Sequence, residues 1–293
     1  MADPIFGRLL TAMVTPFDAA GKVDHEAAGR VARWLIDEQS NDALVINGTT
    51  GESPTTSGQE KVELIRTVRE AVGPDIPLVA GVGTFDTPHT IELARQAEEA
   101  GADGLLVVTP YYSKPPQDGI AAHFRAVADA TQLPILLYDI PHRSGVPIAE
   151  ATLLELAEHP RIVGVKDAKG DLASSGRVMA RTDLAYYSGE DNLTLALLAL
   201  GAVGLIGTST HFTGAGAARM INAQVEGRHG EALTLHRALE PLFTGVFATQ
   251  GCLLVKAGLE RKGLIGPGVR LPLVPATPAQ VDAFHALLDD AGM

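Results

Sequence analysis

Short apolar runs alternate along the chain with longer stretches of helical periodicity. The runs fall at 9–15, 43–47, 78–81, 104–109, 135–138, 162–167, 185–188 and 204–207. They are short and rich in Val, Ile and Leu, which fits strands buried on both faces of a parallel sheet. Between them, apolar positions recur every three to four residues, as at 24–39, 57–72, 87–100 and 117–131. The helix starts carry sequence signals: Ser57 precedes Glu60 at the spacing of a capping box, and Thr87 reads as a cap followed by Pro88 at the first helical position. Gly101 and Gly201 each stand between a helix and the next strand, where a left-handed turn favours glycine.

Eight strand–helix units make a closed (β/α)8 TIM barrel the simplest α/β architecture, and a bare barrel of this kind takes roughly 250 residues. The eighth helix ends near Gly227, so residues 1–227 form the barrel that carries the active site. Residues 228–293 then form a C-terminal helical extension, with helices at 229–246, 252–262 and, after a proline-rich link, 278–291. A doubly wound sheet is the alternative; it is disfavoured because Gly81-Val82-Gly83 lacks the third glycine of a dinucleotide-binding turn.

Composition narrows the function classes. The chain has 293 residues, of which 46% are hydrophobic and 20% charged, and its formal net charge is −12. An acidic chain lacks the basic face that nucleic acid requires. The sole cysteine, Cys252, leaves no internal disulfide and suits a reducing, cytoplasmic compartment. The N-terminus lacks a basic start followed by a long apolar stretch. No Asp, Glu, Lys or Arg occurs between Asp191 and Arg219, but five glycines and Thr208-Ser209-Thr210-His211 interrupt that stretch. It reads as a buried helix followed by a core strand, not as a membrane span.

Candidate chemistry lies where strands end, since barrel enzymes place their sites at the carboxyl face. The fifth strand ends in Tyr138-Asp139-Ile140-Pro141 and leads to Arg143; the sixth ends in Gly164-Val165-Lys166-Asp167. Taken singly, a strand-end lysine usually snorkels to water and a tyrosine usually packs. Together they describe a partly desolvated amine, nucleophilic when neutral, beside a phenol able to shuttle protons: the equipment for a Schiff base with a carbonyl substrate. The second strand ends in Gly48-Thr49-Thr50-Gly51-Glu52-Ser53, a turn whose N–H groups suit a carboxylate. The fourth ends in Thr109-Pro110-Tyr111-Tyr112 and the seventh in Ser188-Gly189-Glu190-Asp191. Arg143 can grip a carboxylate bidentately. The nine histidines offer no metal set, and His142, His159 and His211 read as structural.

In order and spacing, Gly48-Thr49-Thr50-Gly51-Glu52, Tyr111-Tyr112, Tyr138-Asp139-Ile140-Pro141 with Arg143, and Gly164-Val165-Lys166-Asp167 resemble the dihydrodipicolinate synthase family across nearly the whole chain. The resemblance implies a lyase that condenses pyruvate with L-aspartate 4-semialdehyde, without a cofactor or metal. It implies Lys166 as the imine-forming residue and Tyr138, Thr49 and Tyr112 as a proton relay, with Tyr112 reaching in from an adjacent subunit. It assigns Thr50 to the pyruvate carboxylate, Gly189 and Ile206 to the pocket lining, and Arg143 to the aldehyde's carboxylate. It also implies a homotetramer built as a pair of dimers. The chain departs from the family pattern in two places: Thr208-Ser209-Thr210-His211 is more polar, and Asp139 stands where asparagine is common. Lysine-sensitive relatives bind the amino acid at the dimer interface; Lys61, His89 and Phe85 replace their ligating groups here, so weak lysine inhibition is expected. The alternatives are a sister class I pyruvate aldolase, such as N-acetylneuraminate lyase or a keto-deoxy sugar acid aldolase, and a catalytically silent barrel that senses a ligand.

Overall fold

The computed structural model describes residues 2–293. Eight parallel strands close on themselves in chain order: β1 Leu9–Ala12, β2 Ala43–Ile46, β3 Leu78–Gly81, β4 Gly104–Val108, β5 Ile135–Asp139, β6 Ile162–Asp167, β7 Ala185–Ser188 and β8 Gly204–Gly207. The (β/α)8 expectation holds. Around the barrel run α1 His25–Asp37, α2 Gly58–Val72, α3 Thr87–Glu99, α4 Gln117–Asp129, the four-residue α5 Pro141–Ser144, α6 Glu150–Leu156, α7 Leu172–Met179, α8 Thr194–Ala199 and α9 Thr210–Val225. After them come α10 His229–Gly245, α11 Gly251–Arg261 and α12 Pro278–Asp290.

Alternation along each strand separates two kinds of core. Leu10, Ala12, Val45, Val79, Leu106, Leu136, Tyr138, Tyr187 and Ile206 fill the barrel interior. Their neighbours along the strands, such as Leu44, Leu78, Leu105, Leu137 and Val165, face outward into two larger clusters with the helices. In the ladder Tyr138 lies beside Lys166, and Lys166 beside Tyr187, so the phenol and amine are neighbours inside the barrel mouth.

Three local expectations need correction. Thr87 is not the cap of α3: the Asp86 carboxylate accepts the His89 amide, and Thr87 and Pro88 take the first two helical positions. Proline fits there because neither position has an intrahelical N–H bond to lose. The first strand stops at Ala12, because the Val14 amide turns to the His211 ring and the Thr15 hydroxyl to the Gly51 carbonyl. The charge-free stretch does hold a helix and a core strand, but α8 buries only one face and leaves Leu200 just beyond it 47% exposed. Among the described residues no helix is long and apolar enough to cross a membrane. The Ser57–Glu60 capping box and the left-handed Gly101 and Gly201 are as expected.

Candidate active site

The turn after β2 is held in an uncommon conformation. Asn47 and Glu52, at its two ends, both have positive φ, +61° and +55°. Side chains there are uncommon outside constrained sites. Between them the Gly51 amide donates to the Gly48 carbonyl at 3.0 Å and the Glu52 amide to the Thr49 carbonyl at 3.1 Å. A Cβ on Gly51 would lie 3.1 Å from the Met13 carbonyl oxygen, which explains the glycine. Thr49 and Thr50 are thereby presented to the barrel mouth.

Lys166, 5% exposed, is the penultimate residue of β6, with its Nζ 4.4 Å from the centre of the Tyr138 ring. Burial lowers its pKa to about 8, against the attraction of Asp191 and Glu190. The amine is still mostly charged at pH 7, but its neutral, nucleophilic fraction is far larger than for an ordinary lysine and grows as pH approaches 8. Burial drives the Tyr138 hydroxyl the other way, well above its usual value, with Arg143 and the Thr49 side chain as smaller opposing influences. Tyr138 stays protonated and can donate. Gly189 matters by what it lacks: a Cβ there would sit 3.1 Å from Lys166 Cε and 3.0 Å from Ala168 Cβ.

Thr49, Thr50, Tyr138, Arg143, Lys166 and Gly189 line one cavity of about 270 Å³. Ile206 lies in the interior cluster with Tyr138. Arg143 rides on α5, which the left-handed Gly145 terminates, and stands exposed at the cavity rim. His142 lines the same cavity. Tyr112 does not join them. It is 92% exposed, with φ +72°, and the Ser113 amide donates to the Tyr111 carbonyl across it, closing a strained γ-turn. Tyr111 lines an adjoining cavity and meets Phe85 edge-on at 5.4 Å.

Two carboxylates were not singled out from the sequence. Glu190 lines the cavity, its pKa raised by burial and then by Asp191. Asp191 is fully buried, also raised by burial, and accepts the Ser209 hydroxyl and the amides of Ser209 at 2.9 Å and Thr208 at 3.2 Å. This accounts for the polar segment after β8. Thr208 and Ser209 satisfy Asp191, and the Thr210 hydroxyl lies 2.7 Å from that of Thr11. His211 accepts the Val14 amide on Nε2, so Nδ1 carries the proton it donates to the Thr208 carbonyl at 2.8 Å. Burial lowers its pKa to about 4, so it is a neutral, structural histidine. The available signal was two acidic residues directly after a strand-end glycine. Among the described residues no group of three or more His, Cys, Asp or Glu side chains is arranged to hold a metal ion.

Residues 5–291 match the dihydrodipicolinate synthetase family. The chain belongs to that family. A 4-hydroxy-tetrahydrodipicolinate synthase from Cutibacterium acnes is 60% identical over 99% of both chains. Among solved structures, a dihydrodipicolinate synthase from Bacillus anthracis superposes with a TM-score of 0.94 at 39% identity, covering 99% of each chain. DHDPS from Cyanidioschyzon merolae, solved with lysine bound, gives 0.94 at 40% identity over 98% of each.

Proposed function

We propose that this chain condenses pyruvate with L-aspartate 4-semialdehyde to give 4-hydroxy-tetrahydrodipicolinate, the committed chemistry of diaminopimelate and lysine synthesis, through an imine on Lys166. The observation that carries the route is the buried lysine at a barrel strand end, its pKa lowered to about 8, against a protonated tyrosine. Neutral Nζ attacks the keto carbon of pyruvate. The carbinolamine oxygen is protonated and leaves as water, and the methyl group of the resulting iminium loses a proton to give an enamine. The enamine carbon attacks the aldehyde, whose oxygen takes a proton to become a hydroxyl. The substrate's own amine then attacks the imine carbon, closes the ring and releases Lys166.

Tyr138, Thr49 and Tyr112 pass the protons, Thr50 holds the pyruvate carboxylate, Gly189 and Ile206 shape the pocket, and Arg143 receives the carboxylate of the aldehyde. Tyr112 serves the neighbouring subunit; its exposure and its absence from its own chain's cavity lining support this. The working form is a homotetramer, a pair of such dimers, in the cytoplasm, where the single buried thiol of Cys252 stays reduced. The synthase name of a relative at 60% identity favours this reading over a sister sugar-acid aldolase.

Borohydride with pyruvate is expected to add one reduced pyruvyl group, mapped to Lys166, and the trapping rate is expected to climb as pH rises toward about 8 and then level off. Undiminished labelling of Lys166→Ala would falsify the route. Supplying pyruvate with aspartate semialdehyde or with N-acetylmannosamine separates the synthase from the aldolase, since only the first pair is expected to be consumed.

A further inference from the structure

The turn that carries Thr49 and Thr50 ends in a side chain that leaves the active site and enters the C-terminal helices. Glu52 is 2% exposed, and its carboxylate pairs with Lys256 of α11, itself 2% exposed. The second carboxylate oxygen accepts the Arg270 amide at 3.1 Å. Lys256 also donates to the Gly268 carbonyl at 2.8 Å. Arg270 spreads its guanidinium over the segment just after the turn: to the Thr55 carbonyl at 2.7 Å, to the Gly21 carbonyl at 2.7 Å, and to both carboxylate oxygens of Glu60. Both cations sit against the Phe17 ring, with Nζ 4.3 Å and Cζ 4.2 Å from its centre.

This arrangement gives the positive φ of Glu52 a cause. Nothing local favours the left-handed region for a glutamate, and such residues persist where surrounding contacts over-determine them. Here the carboxylate is fixed at one end by residues more than 200 positions away. At the other end the Glu52 amide holds the Thr49 carbonyl at 3.1 Å. A buried ion pair is weak as a source of stability but strong as a constraint on geometry, because neither charge can leave its partner without being stranded. We propose that Lys256, through Glu52, and Arg270, through its main-chain bond to Glu52 and its guanidinium on Thr55 and Glu60, are positioning residues that set the Thr49–Thr50 turn for the carboxylate of the keto acid. The inference rests on the reading that this turn binds pyruvate.

The test uses the full chain and measures pyruvate half-saturation in borohydride trapping alongside the KM of aspartate semialdehyde. Arg270→Lys keeps a cation but cannot fork between Thr55, Gly21 and Glu60. The double variant Lys256→Met/Glu52→Gln replaces the buried pair with neutral side chains of similar length. Arg261→Ala, which breaks an exposed pair with Asp289 on the same C-terminal helices, is the control for general loosening. In the first two variants pyruvate half-saturation is expected to rise about tenfold and the aldehyde KM less than threefold; Arg261→Ala moves neither. If the double variant does not fold, Arg270→Lys decides alone. A folded Arg270→Lys with wild-type pyruvate half-saturation, or equal shifts for both substrates, overturns the inference while leaving the imine intact. Absence of trapping in the wild-type chain is a different failure and overturns the Lys166 reading itself, and this inference with it.

Discussion

Arg143 stands at the rim of the cavity with its guanidinium free of hydrogen bonds among the described residues, while Lys166 lies at the bottom, buried against Tyr138. This depth difference divides the two substrates. Pyruvate must reach Nζ, whereas the second substrate need only bring its aldehyde carbon to the enamine and can leave its carboxylate near the mouth. Removing a charge-assisted, bidentate anchor costs about 1.5–3 kcal/mol, or roughly 10- to 150-fold. Arg143→Ala is therefore expected to trap pyruvate at near wild-type half-saturation and to lose at least tenfold in kcat/KM for aspartate semialdehyde; near-normal turnover would reassign the clamp. At this scale the chemistry-bearing types were readable, because a lysine or tyrosine at the end of an apolar run departs visibly from its surroundings. Glu190 and Asp191 were not singled out, since acidic residues after a strand usually just face water. Only the closure of β7 onto β8 shows Asp191 buried under Thr208 and Ser209.

Between β5, β6 and α7 lies a buried polar layer on the opposite face of the strands from the reacting groups. Asp139 and Asp167 are ladder neighbours. Asp167 is satisfied by the Ser175 hydroxyl and the Lys169 amide. Asp139 accepts the Ile148 amide at 3.1 Å through one oxygen; its other has only Lys169 Nζ, at 3.6 Å. Burial raises the Asp139 pKa to about 6, with Lys169 the main opposing influence. A folded-state pKa above the unfolded value means the native state holds the extra proton between about pH 4 and 6. Stability therefore falls as pH rises through that window and stays lower above it. Asp139→Asn keeps the acceptor for Ile148 and removes the buried charge, so the thermal midpoint of the variant relative to wild type is expected to increase from pH 4 to pH 7. The rise to about 6 from the ordinary aspartate value sets an upper limit of ~3 kcal/mol. A difference that is flat with pH would show that Lys169 already compensates the charge. The strands of this layer were legible as short, nearly continuous apolar runs, which fit strands buried on both faces of a parallel barrel, although the polar Asp139 ends β5 one residue beyond the apolar run. The helices between β5 and β6 were not: α5 is a single turn, too short to show a period, and α6 is only seven residues long.

Across the whole molecule, the resemblance places two groups at a boundary with another copy. Tyr112 is exposed on a strained turn and does not line its own chain's cavity. Mixing Lys166→Ala with Tyr112→Phe chains should restore part of the activity that each lacks alone, because one site of each mixed dimer regains both native groups; no recovery in verified mixed dimers would return Tyr112 to its own chain. The resemblance also places the response to lysine at that boundary. At the position where lysine-sensitive relatives carry a histidine, Lys61 does not swing into solvent. It is buried, its ammonium donating to the Ser53 carbonyl and the Thr56 hydroxyl, each at 2.8 Å, and to the Thr56 carbonyl. Burial lowers its pKa to about 8, so below that pH it is mostly charged. His89, where those relatives carry a glutamate, offers no standing carboxylate to offset it, and Phe85 offers a ring in place of an amide. A second ammonium brought to ~4 Å at an effective dielectric of about 20 meets repulsion on the order of 4 kcal/mol before relaxation. The Cyanidioschyzon merolae homologue was solved with lysine bound, but this chain is expected to need millimolar lysine or more for half-inhibition near pH 7. Lys61→His, which removes most of that charge at neutral pH, should lower the concentration required. Half-inhibition of the unaltered chain at sub-millimolar lysine would show that the three oxygens around Lys61 screen its charge from the interface.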